Sequence, residues 1–354
     1  MTAPVPAWAA PSAKAPLVPH PITRREPGPR DVQIDILYCG VCHSDIHQVR
    51  NEWADSMPSE FPMVPGHEIV GKVAKVGADV SKFAVGDLAG VGCFVDSCHE
   101  CEPCLRHLEQ FCQKGAAFTY NSTEMDRKTP TYGGYSTEIV VTERYALKVP
   151  PGLELAAAAP LLCAGITTYS PLKRWKCGPG QRVGVVGLGG LGHMAVKLAA
   201  SMGAEVTMLS TSRAKEADAR RLGAQAFALT SEPQNLRKMG GRFDLLIDTI
   251  SVEHDLNLYL GLLKPEGAMV CLGVPPKPAS VGIMSLIYGD KTLAGSMIGG
   301  IRETQEMLDY CASKKIVSDV ETIRIEKINE AYERMLRSDV RYRFVIDIAS
   351  LKGA

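Results

Sequence analysis

The stretch VGVVGLGGLGHMAVKLAASMG, residues 183–203, decides the fold. It opens on a short apolar run, the length of a strand buried on both faces and too short for a helix. Gly187, Gly189 and Gly192 follow as G-x-G-x-x-G, and the segment after them repeats its apolar residues at helical spacing as far as Gly203, a stop signal. Strand, tight turn and helix, in that order, is what a dinucleotide-binding turn requires. The first glycine permits the turn, the second lets backbone approach a pyrophosphate, and the third lets the helix pack closely on the strand. The helix N-terminus adds N–H donors and partial positive charge. The run Gly187, Leu188, Gly189, Gly190, Leu191 and Gly192 is therefore the candidate phosphate cradle.

Working outward, EVTMLS reads as a strand, RAKEADARRLG as a helix, FDLLIDTI as a strand, LNLYLGLLKPEG as a helix and AMVCLGV as a strand. This alternation predicts an α/β unit, a doubly wound parallel sheet covered by helices on both faces. The end of the second strand bears on the cofactor. An NAD site sets an acidic residue there, about twenty residues past the motif, on the ribose hydroxyls. Here the strand runs into Ser210, Thr211, Ser212 and Arg213, while Glu205 stands at the strand's opposite end. Hydroxyls and a guanidinium suit a 2′-phosphate through charge-assisted hydrogen bonds, with no carboxylate to repel it. NADP is the expected cofactor.

Upstream the pattern is β-rich. DVQIDILYC, residues 31–39, reads as a strand, and glycines break residues 67–92 into short strands and turns. Residues 113–134 read as a loop, 135–149 return to strand patterning, and RYRFVIDI near the C-terminus reads as a strand that rejoins this first part.

The chain has 354 residues, enough for two or three domains. Its 39 basic and 39 acidic residues balance, without the basic excess of a nucleic-acid or membrane-surface binder. The longest uncharged stretch, residues 155–172, is broken by Pro160, Gly165 and Pro171 and is not expected to span a membrane. The first residues lack a basic segment followed by an apolar core, so a cytoplasmic location is expected. The chain has eleven cysteines, and in a reducing compartment those at tight spacing suit metal better than disulfides. Cys98, Cys101, Cys104 and Cys112 form C-x2-C-x2-C-x7-C. Four thiolates so close suit a closed tetrahedral zinc; an iron–sulfur cluster, which favours a three-residue last gap, and free or paired thiols are the rivals. His99 and His107 lie within the cluster but compete with sulfur. Cys42, His67, Glu68 and Cys163 are each weak signals alone; together they offer the Cys2His set of a catalytic zinc with an open position.

GVCHSDIHQ, PGHEIVG, the four-cysteine lobe, PLLCAGITTYSPL and GLGGLGH occur in this order, with GSMIGGIRETQEML and RYRFVID behind them. The chain resembles the zinc-dependent medium-chain alcohol dehydrogenases, in particular the cinnamyl alcohol dehydrogenase branch and its bacterial NADPH-dependent aldehyde reductases. The resemblance implies a GroES-like catalytic domain over 1–154 and 300–354, with a structural zinc lobe at 93–115, interrupted by a Rossmann NADP-binding domain over 155–299. It implies two zinc ions per chain and a homodimer joined through the Rossmann sheets. Catalytic zinc ligands fall on Cys42, His67 and Cys163 with Glu68 a nearby or alternating fourth; structural ones fall on Cys98, Cys101, Cys104 and Cys112. Asp45 matches the carboxylate that orients the ligating histidine. Ser44 matches the hydroxyl that exchanges a proton with the substrate oxygen, and His47 the outer histidine of that relay. Thr167 falls at the nicotinamide end of the cofactor. Cys93, Gln48, Trp53, Met297 and Ile298 are candidate pocket-lining residues. Phe118 stands near where plant members carry a Trp, which weighs against bulky monolignols. The implied reaction is reversible hydride transfer between NADPH and aromatic or aliphatic aldehydes. A polyol dehydrogenase and a non-catalytic zinc-binding redox sensor are the alternatives.

Overall fold

Ten residues rich in β-branched and aliphatic side chains, Asp31–Gly40, form strand β1, the centre of the first sheet. The short helix α1, His43–Val49, follows at once. Cys42 caps it: the Asp45 carboxylate accepts from the Cys42 N–H at 2.8 Å, a reciprocal cap that fixes both side chains on one turn. Strands β2 (Ile69–Val76), β3 (Leu88–Val91), β4 (Glu138–Thr142) and β5 (Leu147–Lys148) complete this half of the sheet. β4 pairs antiparallel with the N-terminal half of β1, Val141 opposite Val32, and β2 pairs along its length. Between β3 and β4 a lobe projects, built on the hairpin Phe94–Asp96 with Ala117–Phe118 and carrying the four clustered cysteines. The 113–134 segment contains two further two-residue strands, Ser122–Thr123 and Pro130–Thr131.

The structure, a computed structural model, describes residues 4–275 and 277–353. The chain divides into two compact units, Met1–Cys163 with Gly299–Ala354, and Ala164–Ile298. The first boundary falls at Cys163 rather than after residue 154. The buried turns Leu155–Ala158 and Ala159–Leu162 pack on the strands of the first unit and belong with them.

The second unit opens with helix α2 (Ala164–Arg174), then strand β6 (Arg182–Val186), helix α3 (Gly190–Ser201), strand β7 (Glu205–Ser210), helix α4 (Glu216–Arg221) and strand β8 (Ala226–Leu229). Strand β9 (Phe243–Asp248), helix α5 (Leu256–Leu260), strand β10 (Leu263–Cys271) and strand β11 (Thr292–Gly295) follow. All six strands are parallel, in the order β8-β7-β6-β9-β10-β11. The strand order reverses between β6 and β9, the switch point where open α/β sheets bind ligands. The segment LNLYLGLLKPEG is not one helix: α5 stops at Leu260, and Leu263 already begins β10. Leu262 and Leu263 are buried in the apolar core with Phe243 and Leu246, so tertiary burial overrides the helical spacing.

The chain then returns to the first unit. Helix α6 (Ile301–Lys314), strand β12 (Val320–Arg324), helix α7 (Ile328–Leu336) and strand β13 (Arg343–Asp347) follow. β13 pairs antiparallel with the C-terminal half of β1, Val345 opposite Gly40, and parallel with β12 at the edge. Among the described residues no single helix is long and apolar enough to cross a membrane.

Candidate metal and cofactor sites

Three separate loops of the first unit converge beside the end of β1. Cys42 starts α1, His67 and Glu68 precede β2, and Cys163 closes the buried turn before the boundary. One ligand atom from each of these four lies within 4.8 Å of the others, and all four residues are buried. The Cys42 and Cys163 sulfurs are 3.8 Å apart. Two thiolates on one tetrahedral ion, each about 2.3 Å from it, stand roughly 3.8 Å apart. The hydrogen bond between the two sulfurs lowers the Cys42 thiol well below its ordinary value, against the opposing effect of burial.

Glu68 supplies a second indication of a cation. Its Oε1 is ion-paired to Arg343 of β13, with both side chains buried, while its Oε2 has no hydrogen-bond partner. A buried carboxylate oxygen left unpaired is costly unless a cation takes it. The carboxylate lies over Gly40, where a Cβ would sit 1.9 Å from Oε2. The donor set and the orphaned oxygen fit zinc.

His67 is aimed from behind. Its Nδ1 lies 3.3 Å from Asp45 Oδ1, leaving Nε2 for the metal side. Asp45 is fully buried and also accepts from the N–H groups of Cys42 and Gly66 and from the Tyr135 hydroxyl at 3.3 Å. Ser44 Oγ lies 3.6 Å from Cys42 Sγ. His47 is further along α1, its Nδ1 2.5 Å from Glu52 Oε2 and its ring stacked on Trp53 at 4.8 Å. Glu52 was not singled out in the sequence; a carboxylate five residues after a histidine carries no motif. Gln48 is buried, its amide oxygen bonded by Ser59 and Asn121, and Phe118 is a half-buried residue of the lobe hairpin.

The lobe brings Cys98, Cys101, Cys104 and Cys112 together, again with ligand atoms within 4.8 Å. The Cys101–Cys104 and Cys98–Cys104 sulfur separations are 3.4 and 3.9 Å. Backbone N–H groups of Cys98, Cys101 and Gln113 point at the sulfurs of Cys112, Cys98 and Cys101. Donation from the Glu100 backbone holds the Cys98 thiol down to about 6, whereas burial lifts Cys104 to about 12. His99 pairs with Asp96 at 2.8 Å and His107 lies 3.9 Å from Glu109, so both turn to carboxylates.

In the second unit, the glycine turn has three distinct environments. Gly187 has φ +90°, which a side chain rarely adopts. A Cβ on Gly192 would lie 1.9 Å from the Gly187 carbonyl, whereas one on Gly189, the N-cap of α3, would meet nothing within 4 Å. Backbone is thus packed tightly at the third glycine and left open at the second, where a phosphate approaches. His193 is buried and its Nδ1 bonds the Gly190 carbonyl at 2.7 Å, a structural role inside the helix. Leu188 and Thr167 are buried, and Leu191 is half-buried.

Beyond β7, Ser210 is buried, and its Oγ accepts from the Ser212 N–H at 3.3 Å. Thr211 and Arg213 are exposed. The expected carboxylate-free surroundings are not found: Arg213 lies 3.9 Å from Glu216 and 3.5 Å from Glu232. Lys215, unmarked in the sequence, reaches back so that its Nζ bonds the Leu188 carbonyl at 2.7 Å. This lysine joins the hydroxyl loop to the glycine turn. Glu205, at the far end of β7, pairs with Arg242 at 2.6 Å.

Known proteins match this layout along the whole chain. Residues 28–151 match the alcohol dehydrogenase GroES-like domain, and residues 190–313 match the zinc-binding dehydrogenase family. The NADP-dependent alcohol dehydrogenase C 1 of Mycolicibacterium smegmatis is 57% identical over 350 residues, covering 99% of each chain. The aldehyde reductase YahK of Escherichia coli is 55% identical, covering 96% of this chain and 97% of that one. Among solved structures, a cinnamyl alcohol dehydrogenase from Sorghum bicolor has a TM-score of 0.95 at 42% identity, covering 98% of each chain. The Helicobacter pylori cinnamyl alcohol dehydrogenase complexed with NADP(H) has a TM-score of 0.91 at 43% identity, covering 99% of each. The chain belongs to the zinc-binding alcohol dehydrogenase family, a GroES-like unit interrupted by a Rossmann unit, and is an oxidoreductase of that family.

Proposed function

We propose that this enzyme interconverts aldehydes and alcohols, aromatic or aliphatic, with NADPH as hydride donor and one zinc ion at Cys42, His67 and Cys163. The observation that carries the reading is the buried set of Cys42, His67, Glu68 and Cys163, with four donor atoms within 4.8 Å. When bound, zinc supplies Lewis acidity to the substrate oxygen and NADPH supplies hydride. The protein's own residues do the rest. Asp45 fixes the His67 ring, and Arg343 holds Glu68 beside the three ligands. Ser44 exchanges a proton with the substrate oxygen, His47 resupplies it, and Glu52 keeps the His47 ring in one orientation. In this reading Cys98, Cys101, Cys104 and Cys112 hold a second zinc that folds the lobe.

For the cofactor, Gly187 to Gly192 cradle the pyrophosphate and Thr167 meets the nicotinamide end. Ser210, Thr211, Ser212, Arg213 and Lys215 receive the 2′-phosphate. Support comes from the lysine bonded to the Leu188 carbonyl and from the NADP-dependent relatives. A reducing cytoplasm suits the eleven unpaired thiols. A homodimer through the second unit is supported by β11, a sheet edge, and by exposed Ile283, Met284, Ile287 and Tyr288 near it in sequence. Steady-state kinetics with benzaldehyde, cinnamaldehydes, short aliphatic aldehydes and sugar aldehydes, each with NADPH and NADH, tests the reading. Reduction of simple aldehydes with NADPH preferred is expected. Turnover confined to sugars and polyols would favour a polyol dehydrogenase, and no turnover on any would overturn an enzyme of this class.

A further inference from the structure

The ligand end of the Rossmann sheet holds a dyad, a buried aspartate with a half-buried histidine, that the proposed mechanism leaves unused. Three chain crossings meet at the switch point between β6 and β9: the glycine turn after Val186, the loop 249–255 after β9, and residues 272–273 after β10. Thr249 ties the first two, its N–H bonding the Val186 carbonyl at 3.0 Å and its Oγ1 bonding the carbonyls of Val186 and Gly187 at 2.9 and 3.0 Å. Gly273 lies so close to Ile250 that a Cβ there would sit 2.1 Å from the Ile250 carbonyl oxygen.

Asp248 organises this junction. It is buried, and its Oδ1 accepts from the Ile250 N–H at 3.1 Å. Its Oδ2 lies 2.9 Å from His254 Nε2, and His254 Nδ1 lies 2.8 Å from the Val252 carbonyl. Both ring nitrogens therefore face oxygen acceptors. A neutral imidazole carries one N–H, so only the imidazolium donates to both. Losing the proton gives up either the bond to Asp248 or the bond within the loop.

We propose that His254 and Asp248 form a protonation-dependent clasp that holds the loop 249–255 in its cofactor-binding shape, so that affinity for NADP(H) falls when His254 loses its proton. The groups around it are Asp248 on β9, Asp255 and Tyr259 at α5, and Cys271 at the end of β10. Tyr259 meets the imidazole edge-on at 5.8 Å, and the Cys271 thiol hydrogen-bonds Asp248. Both carboxylates favour the cation. The Asp248 hydrogen bond raises His254 above the ordinary imidazole value, against the effect of burial. A raised folded value means the stabilisation is complete below about pH 6.5 and is lost as pH rises through the folded value. His254 and Asp248 are positioning residues, acting through Thr249 and Gly187.

The inference rests on NADP as cofactor, and one set of titrations separates the two claims. Equilibrium binding of NADPH and of NADH is measured for the zinc-loaded protein and for His254→Gln at about pH 6 and about pH 9, either side of the histidine range. Protonation of the 2′-phosphate cancels in the ratio of variant to wild-type Kd at each pH. The ratio should be about threefold or more at the lower pH, the scale of one lost charge-assisted bond felt through a loop, and approach one at the higher pH. A ratio that is the same at both pH values overturns the clasp, and a purely structural role would lower the melting temperature while leaving the ratio flat. Asp248→Asn, which removes the acceptor charge, should show the same collapse. Binding of NADH without NADPH would overturn the NADP reading instead, and the clasp is then judged on the NADH ratios.

Discussion

At the residue scale, the clustered donors and Asp45 behind His67 were legible, and what holds Glu68 and Asp45 in place was not. Cys42, His67 and Cys163 stand in recognisable motifs, and the chemistry of thiolate and imidazole names the ion. What holds them is scattered: Arg343 meets Glu68 across 275 residues, and Tyr135 meets Asp45 across 90. The first pairing follows from β13 docking on β1, and the second joins the segment before β4 to α1; no local pattern encodes either contact. The lysine at 215 and the glutamate at 52 were missed because a single charged residue on a short helix or loop reads as solvated surface. Asp45 is where the support is most exposed to test. It accepts from four donors while buried, and its carboxylate faces the nitrogen of His67 that the metal does not use. Asp45→Asn should weaken zinc binding at this site about 10–100-fold, measured by competition with a chelator. Unchanged affinity would remove Asp45 from the orienting role.

At the scale of elements, the glycine turn carried the second unit. A strand buried on both faces, a positive φ and a close approach at Gly192 can each be anticipated from G-x-G-x-x-G, because each has a single steric cause. Helix ends were harder. α5 gives way to a strand within three residues because Leu262 and Leu263 find the core, and periodicity carries no information about what lies beneath. The loop after β7 is intermediate. Its hydroxyls and Arg213 were visible, but Glu216 and Glu232 beside the guanidinium emerge only from the turn into α4 and the approach of the next segment. An exposed guanidinium shared with two carboxylates at these distances is weakly held and can turn to a phosphate. Replacing Ser212 and Arg213 with Ala should raise the Michaelis constant for NADPH about tenfold or more, the scale of a lost charged hydrogen bond, and leave that for NADH nearly unchanged. An equal effect on both cofactors would contradict the assignment of the 2′-phosphate to this loop.

At the scale of the molecule, the chain leaves the first unit after Cys163 and rejoins it at Gly299, so one of the four clustered donors is the last residue before the excursion. The return also reaches the buried donor set: β13 pairs with β1 and brings Arg343 to Glu68. RYRFVIDI was readable as a strand, and its rejoining of the first part was expected; its contact with Glu68 was not. Four of the eleven cysteines belong to the lobe and two to the buried set, so metal content reports on both sites at once. Zinc per chain in the purified protein and in Cys163→Ala, determined by elemental analysis, is the most direct test of a catalytic zinc at Cys42, His67 and Cys163. The account predicts two zinc ions in the protein and one in the variant, with loss of NADPH-dependent aldehyde reduction. Two zinc ions retained in the variant, or reduction that continues without the second, would contradict it.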